Sequence, residues 1–553
     1  GVFDRKVKSI TLTAEMKKLV GLSQDKMTPD ALIRAILTAK ADLLWFGGIG
    51  TFVKASSERH IDADDRTNDS VRVDARELRC RVIGEGANLG VTEFGRIEAA
   101  RNAGCKLNSD AIDNSAGVDT SDHEVNIKIL LRGAVDGGSL TMKTRDVLLQ
   151  KMTAEVAGLV LRDNYLQTQA LSIAEARGVE LLDAQTRLMR GLERSGRLDR
   201  KIEFLPNDET LDEYAAKNCG LTRPECAVLL AYGKIDLYDA LLDTDLPDDA
   251  VLLEDLKQYF PAPLRAQYAK AIACHPLRRE LIATGFVNAM VNCVGPTFVN
   301  EIREKTGQGA GAVARAYAAA DGAFAAHDLL RDIEALDNKV DAAVQTEMMI
   351  EVGRLVERST YWFLRNTPQP LDIAKTIAQF RPGIEKLAEC LADVVSPEHC
   401  DALARNGRKL ADAGVPRMLA GNMASLDVLI SGCDVVCIAG GDTTAVKKVA
   451  ECYFALGTKF GLDWLRTIAQ DLDTETHWEK QLIGAIVDEL FMLQSQLTSK
   501  VFGAGAAIEA WTASRENAVK RVELILDELR AVGSHDLAML GVATRELRLL
   551  ITG

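Results

Sequence analysis

Hydrophobic and polar positions divide the chain into two stretches of different period. Over the first 135 or so residues, short apolar runs alternate with polar, glycine-bearing turns. Ala41-Asp42-Leu43-Leu44-Trp45-Phe46 reads as a fully buried strand that stops at Gly47-Gly48-Ile49-Gly50-Thr51. Cys80-Arg81-Val82-Ile83 is a second run, followed by Gly84-Glu85-Gly86-Ala87-Asn88-Leu89-Gly90 and a helix from Val91 to Ala100 with Thr92 near its start. A third run, Cys105 to Leu107, leads into Asn108-Ser109-Asp110 and then Asp113-Asn114-Ser115-Ala116-Gly117. The next helix is expected from Asp122 to Leu131. Beyond about residue 140 almost every segment has helical period. Val147 to Arg177 is one long amphipathic stretch, and Thr222-Arg223-Pro224-Glu225 and Thr476-His477-Trp478-Glu479 have the form of capping boxes. The fold class this predicts is α/β, a partial Rossmann-type nucleotide-binding domain over 1–135, followed by a large all-α C-terminal domain over 136–553.

Three polar turns in succession, each leaving the carboxyl end of a strand, mark a ligand-binding edge. Glycines there let backbone approach a ligand, and Asn and Asp side chains supply aimed donors and acceptors. Gly84 to Gly90 is spaced G-x-G-x-x-x-G, one residue longer than the dinucleotide fingerprint, so its weight comes from the company of the other two turns. Asp119 and Asp122 read as helix caps or turn formers, and His123 as a structural histidine. Ser121 can cap a helix or offer its hydroxyl to a substrate carboxylate, because a helix start favours anions. Asn288 and Asn292, four apart, read as a buried amide pair between helices. Lys54, Lys106 and Lys128 read as solvated surface lysines. Cys433 to Gly441 (CDVVCIAGG) imitates a strand and phosphate loop but lacks the G-K-[ST] ending, and reads as a connection between helices. The chain offers no Ser-His-Asp set and no metal-ligand spacing.

Composition narrows the classes. The chain has 553 residues, enough for several cores, and a formal net charge of -14, which argues against a nucleic-acid partner. Eleven cysteines are scattered without a C-x-x-C pair, which favours a reducing cytoplasm over a disulfide or zinc framework. No apolar run reaches membrane-spanning length, so no membrane partner is expected.

The motifs together carry a resemblance. Asp42 to Thr51 (DLLWFGGIGT), Gly84 to Thr92 (GEGANLGVT) and Asp110 to Asp119 (DAIDNSAGVD) are long and specific. With His275-Pro276-Leu277-Arg278-Arg279-Glu280, Tyr453 to Gly457 and Gly461 to Leu465, they resemble the very large bacterial NAD-dependent glutamate dehydrogenases over essentially the whole chain. The first motifs also look like distant versions of those in the small hexameric glutamate dehydrogenases, where an E-G-A-N turn and an N-A-G-G-V turn lie beside the nicotinamide ribose and amide. The resemblance implies NAD as cofactor, oxidative deamination of L-glutamate to 2-oxoglutarate and ammonia, and a homo-oligomer. It implies cofactor contacts from Gly47, Gly48, Glu85, Gly86, Ala87, Asn88, Asp113 and Asn114. Ser115 and Ala116 replace the family's Ala and Gly. Ser121 falls where the small enzymes hold the substrate side-chain carboxylate.

No segment matches the family's catalytic lysines, its aspartate or its first pyrophosphate turn. The chain is therefore expected to be a C-terminal portion without catalytic residues of its own and inactive in isolation. The rival readings are a dehydrogenase for another amino acid and a non-catalytic helical assembly module.

Overall fold

The computed structural model describes residues 2–472, 476–505 and 507–552. The chain divides into two compact units, 1–311 and 312–553.

In the first unit, Leu43–Phe46 and Val82–Glu85 pair in parallel, in register from Leu43 opposite Val82 to Phe46 opposite Glu85. Side chains alternate across a strand. Phe46, Ile83 and Glu85 are buried on one face, whereas Leu43, Trp45 and Val82 are 55%, 59% and 41% exposed on the other. The run from Ala41 to Phe46 is thus not buried on both faces as its continuous apolar character suggests. The Trp45 indole lies across the neighbouring strand. A Cβ at Gly84 would stand 2.6 Å from that ring and one at Gly86 2.4 Å, so both positions are held to glycine by the close approach. Beneath the strands, Phe46, Val53, Val73, Leu78, Ile83, Val91, Ala99 and Leu107 form one apolar cluster.

The expected Rossmann-type α/β domain is not what forms. Among the described residues there are six strands, each of two or four residues, in three separate two-stranded sheets. The third apolar run contributes a single bridge, Lys106 to Val82, in place of a strand. A sheet two strands wide cannot make the continuous layer that a nucleotide-binding α/β domain sandwiches between helices. Helices dominate instead, and the expected large helical part is present.

Local signals start many of these helices. Thr28 accepts from the Ala31 amide at 3.3 Å ahead of Pro29–Leu37, and Thr92 accepts from the Gly95 amide at 3.1 Å ahead of Glu93–Asn102. The Thr222 amide and hydroxyl both donate to the Glu225 carboxylate at 2.6 Å, opening Arg223–Leu242. The helix expected from Asp122 begins earlier, as Ser115–Asp136, which puts Asp119, Ser121 and Asp122 inside it and not at a cap. The long helix expected over Val147 to Arg177 forms as Met142–Arg177.

In the second unit, Leu456, Phe460, Leu465, Leu490, Leu497, Leu526 and Leu547 share one core. The Thr476 box closes as its sequence predicts. The Thr476 amide donates to Glu479 at 2.9 Å and the Glu479 amide to Thr476 Oγ1 at 3.2 Å. Gly432–Ile438 is itself a helix, so the segment read as a connection is only partly one. Among the described residues no single helix is long and apolar enough to cross a membrane.

Candidate functional site

The site grows from the parallel pair. Because the two strands run the same way, the turn after Phe46 and the turn after Glu85 leave the same end, and the bridge at Lys106 sends Asn108 to that end too. Asp110 and Asp113 tie these turns together. The Glu85 amide donates to Asp113 Oδ2 at 3.0 Å, Asn108 Nδ2 donates to Asp113 Oδ1 at 2.8 Å, and the Leu89 amide donates to Asp110 Oδ2 at 2.8 Å. Leu89 needs that anchor, since its φ of 59° is left-handed. The Ala87 amide donates to the Phe46 carbonyl at 3.1 Å. Asn164, from Met142–Arg177, donates to the Ile112 carbonyl at 2.7 Å and to Ser115 Oγ at 2.9 Å, fixing the third turn on a helix.

This scaffold brings Asn88 and Asn114 together: Asn114 Nδ2 donates to Asn88 Oδ1. That bond uses one group of each amide and leaves the Asn88 nitrogen as a donor and the Asn114 oxygen as an acceptor. Both residues line a cleft of about 510 Å³ with Asp110, Val118, Asp119, Asp163 and Asn288. Asn288 is therefore part of a cleft wall, not half of a buried amide pair, while Asn292 is the more buried of the two.

The other sequence-predicted residues fall in three places. Glu85 is fully buried and its carboxylate is occupied. Arg96 Nε reaches Oε2 at 2.7 Å, Arg96 Nη2 reaches Oε1 at 3.0 Å, and the Val91 amide donates to Oε1 at 3.1 Å. Burial pushes the Glu85 carboxyl up, and Arg96 opposes that shift. With its carboxylate held by Arg96 and its amide by Asp113, Glu85 shapes the turn from beneath and presents no free group to a ligand. Gly47 and Gly48 lie exposed in the first turn, with Gly86 and Ala87 in the second, at the same strand end as Asn88. Ser121 is exposed in the second turn of Ser115–Asp136, where its hydroxyl donates to the Gly117 carbonyl at 3.2 Å. It stands two turns beyond Asn114 on the same helix face but does not line the cleft.

Sequence reasoning passed over a group in the cleft wall. Asp119 and His123, four apart on Ser115–Asp136, meet Asp163 of Met142–Arg177. Burial and then the neighbouring Asp163 push Asp119 up to about 6. Burial pulls Lys234 down to about 8, with Asp163 acting in the opposite sense. The i,i+4 spacing of Asp119 and His123 was the available signal; the third member is forty-odd residues away in the chain. Lys54 also departs from expectation. It is buried, and its ammonium donates to Asp74 at 2.5 Å and to the Ala55 carbonyl at 3.1 Å.

Comparison with known proteins fits the motifs that build this site. A family described as "Bacterial NAD-glutamate dehydrogenase, catalytic domain" matches residues 1–174, and one described as "Glutamate dehydrogenase, C-terminal" matches residues 218–549. The NAD-specific glutamate dehydrogenase of Pseudomonas aeruginosa is 42% identical over 557 residues, covering 99% of this chain and 34% of the relative. Those of Halomonas elongata and Mycobacterium tuberculosis are 38% and 36% identical, again over 99% of this chain and 34% of each relative. The chain thus spans about a third of the length of these relatives. By these matches the chain belongs to the bacterial NAD-dependent glutamate dehydrogenase family.

Proposed function

We propose that the protein acts in NAD-dependent oxidative deamination of L-glutamate to 2-oxoglutarate and ammonia, and that residues 1–135 form the nicotinamide-side wall of its cleft. When bound, NAD accepts the hydride from the substrate α-carbon. The observation that carries the reading is the Asn114–Asn88 amide pair at the cleft. One remaining donor and one remaining acceptor side by side are the complement of a carboxamide, which itself presents an acceptor oxygen and a donor nitrogen. Asp113 and Asp110 act as positioning residues that hold both turns in place. Gly47, Gly48, Gly86 and Ala87 offer backbone without bulk at the same strand end, and buried Glu85 supports the turn from beneath. Ser121 is assigned to the substrate side-chain carboxylate. The reading includes a cytoplasmic, homo-oligomeric enzyme.

Equilibrium binding of NAD to the protein tests the amide pair. Asn88→Ala and Asn114→Ala are each expected to weaken NAD at least about tenfold, the equivalent of about 1.4 kcal/mol. Unchanged affinity in both variants removes the pair from the cofactor site.

A further inference from the structure

We propose that Asp119, His123 and Asp163 form a three-ligand site for a divalent transition-metal ion in the wall of the cleft. One ligand atom from each lies within 4.8 Å of the other two. His123 Nε2 stands 4.0 Å from Asp119 Oδ1 and 3.9 Å from Asp163 Oδ2. Those gaps are too long for hydrogen bonds. They are close to the spacing of two atoms that share an ion, since ligands each about 2.1 Å from a metal lie about 3–4 Å apart.

The second observation is what the imidazole lacks. His123 is 2% exposed, and neither ring nitrogen has a hydrogen-bond partner; buried Asp119 Oδ2 has none either. A buried polar group without a partner costs about 1–3 kcal/mol, so such a group in a native structure calls for a reason. The ring is nevertheless held in place. It stacks on Tyr259 at 4.3 Å between centroids and 20° between planes. The Tyr259 hydroxyl in turn donates to Asp122 at 2.9 Å and accepts from Asn126 at 3.1 Å. A fixed imidazole with open nitrogens, facing two carboxylates, suits a ligand set better than a packing role.

Charge points the same way. The carboxylates of Asp119 and Asp163 repel, and Lys234, whose charge is felt at Asp163, forms no ion pair with it among the described residues. A dication neutralises both carboxylates at once. One imidazole and two carboxylates favour zinc, manganese, iron or cobalt over magnesium and calcium, which prefer all-oxygen sets, and over copper(I), which prefers sulfur. Asp119 and Asp163 both line the cleft, so the remaining coordination positions are within reach of water or a ligand oxygen there.

Cobalt(II) titration of the tag-free, chelator-dialysed chain tests the site through the metal's own visible absorption. One equivalent is expected to bind with a d–d band, to be displaced by zinc, and to raise the thermal midpoint. Asp163→Asn and Asp119→Asn are each expected to weaken cobalt at least tenfold while circular dichroism stays native. His123→Gln is expected to do the same. That side chain is buried, so if His123→Gln unfolds, the outcome is decided by Asp163→Asn, whose side chain is 43% exposed. No band at one equivalent, or a wild-type band in the folded aspartate variants, overturns the site.

Discussion

Arg96 forks over the carboxylate of Glu85, Nε to Oε2 at 2.7 Å and Nη2 to Oε1 at 3.0 Å, with both side chains buried. Arg96 also reaches Glu93 at 2.6 Å and Asp110 at 3.3 Å, so one guanidinium joins the end of a strand, the helix after it and the third turn. Removing one partner of a buried pair leaves an uncompensated charge. Arg96→Ala is therefore expected to destabilise the first unit by about 3–5 kcal/mol. Arg96→Lys should recover only part of this, because an ammonium cannot make the fork. Urea unfolding measures both; a loss below about 1 kcal/mol in Arg96→Ala would show the pair to be dispensable.

The glycines of the site divide by what surrounds them. A Cβ at Gly90 would stand 2.9 Å from Phe46 Cγ and 3.2 Å from Glu85 Oε1, inside the packed end of the strands. At Gly48 a Cβ would meet nothing within 4 Å. Gly90→Ala is expected to cost about 1–3 kcal/mol by overpacking, and Gly48→Ala to stay within about 0.5 kcal/mol. Equal effects at the two positions would refute this account of the turn.

Asp434 gives the second unit a pH dependence. Its Oδ1 accepts from Trp362 Nε1 at 2.9 Å and its Oδ2 from the Tyr453 hydroxyl at 3.2 Å. Burial nonetheless pushes the carboxyl above its ordinary value, against those bonds. The folded chain then holds this proton more tightly than the unfolded chain does. The contribution is full below the ordinary Asp value of about 4 and is lost as pH rises through the folded value. Asp434→Asn removes that slope while losing one acceptor. The stability difference between wild type and Asp434→Asn should therefore change as pH rises above about 4, always in the sense that wild type loses more on going up. A difference independent of pH would mean that folding does not raise the Asp434 carboxyl.

Ser121 separates binding from chemistry. If its exposed hydroxyl meets the substrate side-chain carboxylate, Ser121→Ala should raise KM for glutamate several-fold and leave kcat nearly unchanged, the signature of lost uniform binding. Steady-state kinetics with glutamate and NAD as substrates measures both. An unchanged KM would leave the Gly117 carbonyl as the hydroxyl's sole business.

By itself the sequence determined what acts over three or four residues. Thr28, Thr92, Thr222 and Thr476 start helices where they stand, because a capping side chain reaches a backbone amide one turn away whatever the rest of the chain does. The polar turns after the apolar runs were legible for the same reason, as was the family, through three unbroken motifs. Tertiary structure decided the rest. It narrowed the expected sheet to a pair of strands, since the run at Cys105 to Leu107 makes one bridge only. It left Leu43 and Trp45 open on one face, buried Glu85 under Arg96, and brought Asp163 from a second helix to Asp119 and His123. Those outcomes depend on which faces pack together over long separations, and periodicity along the chain carries no term for the partner a face will meet.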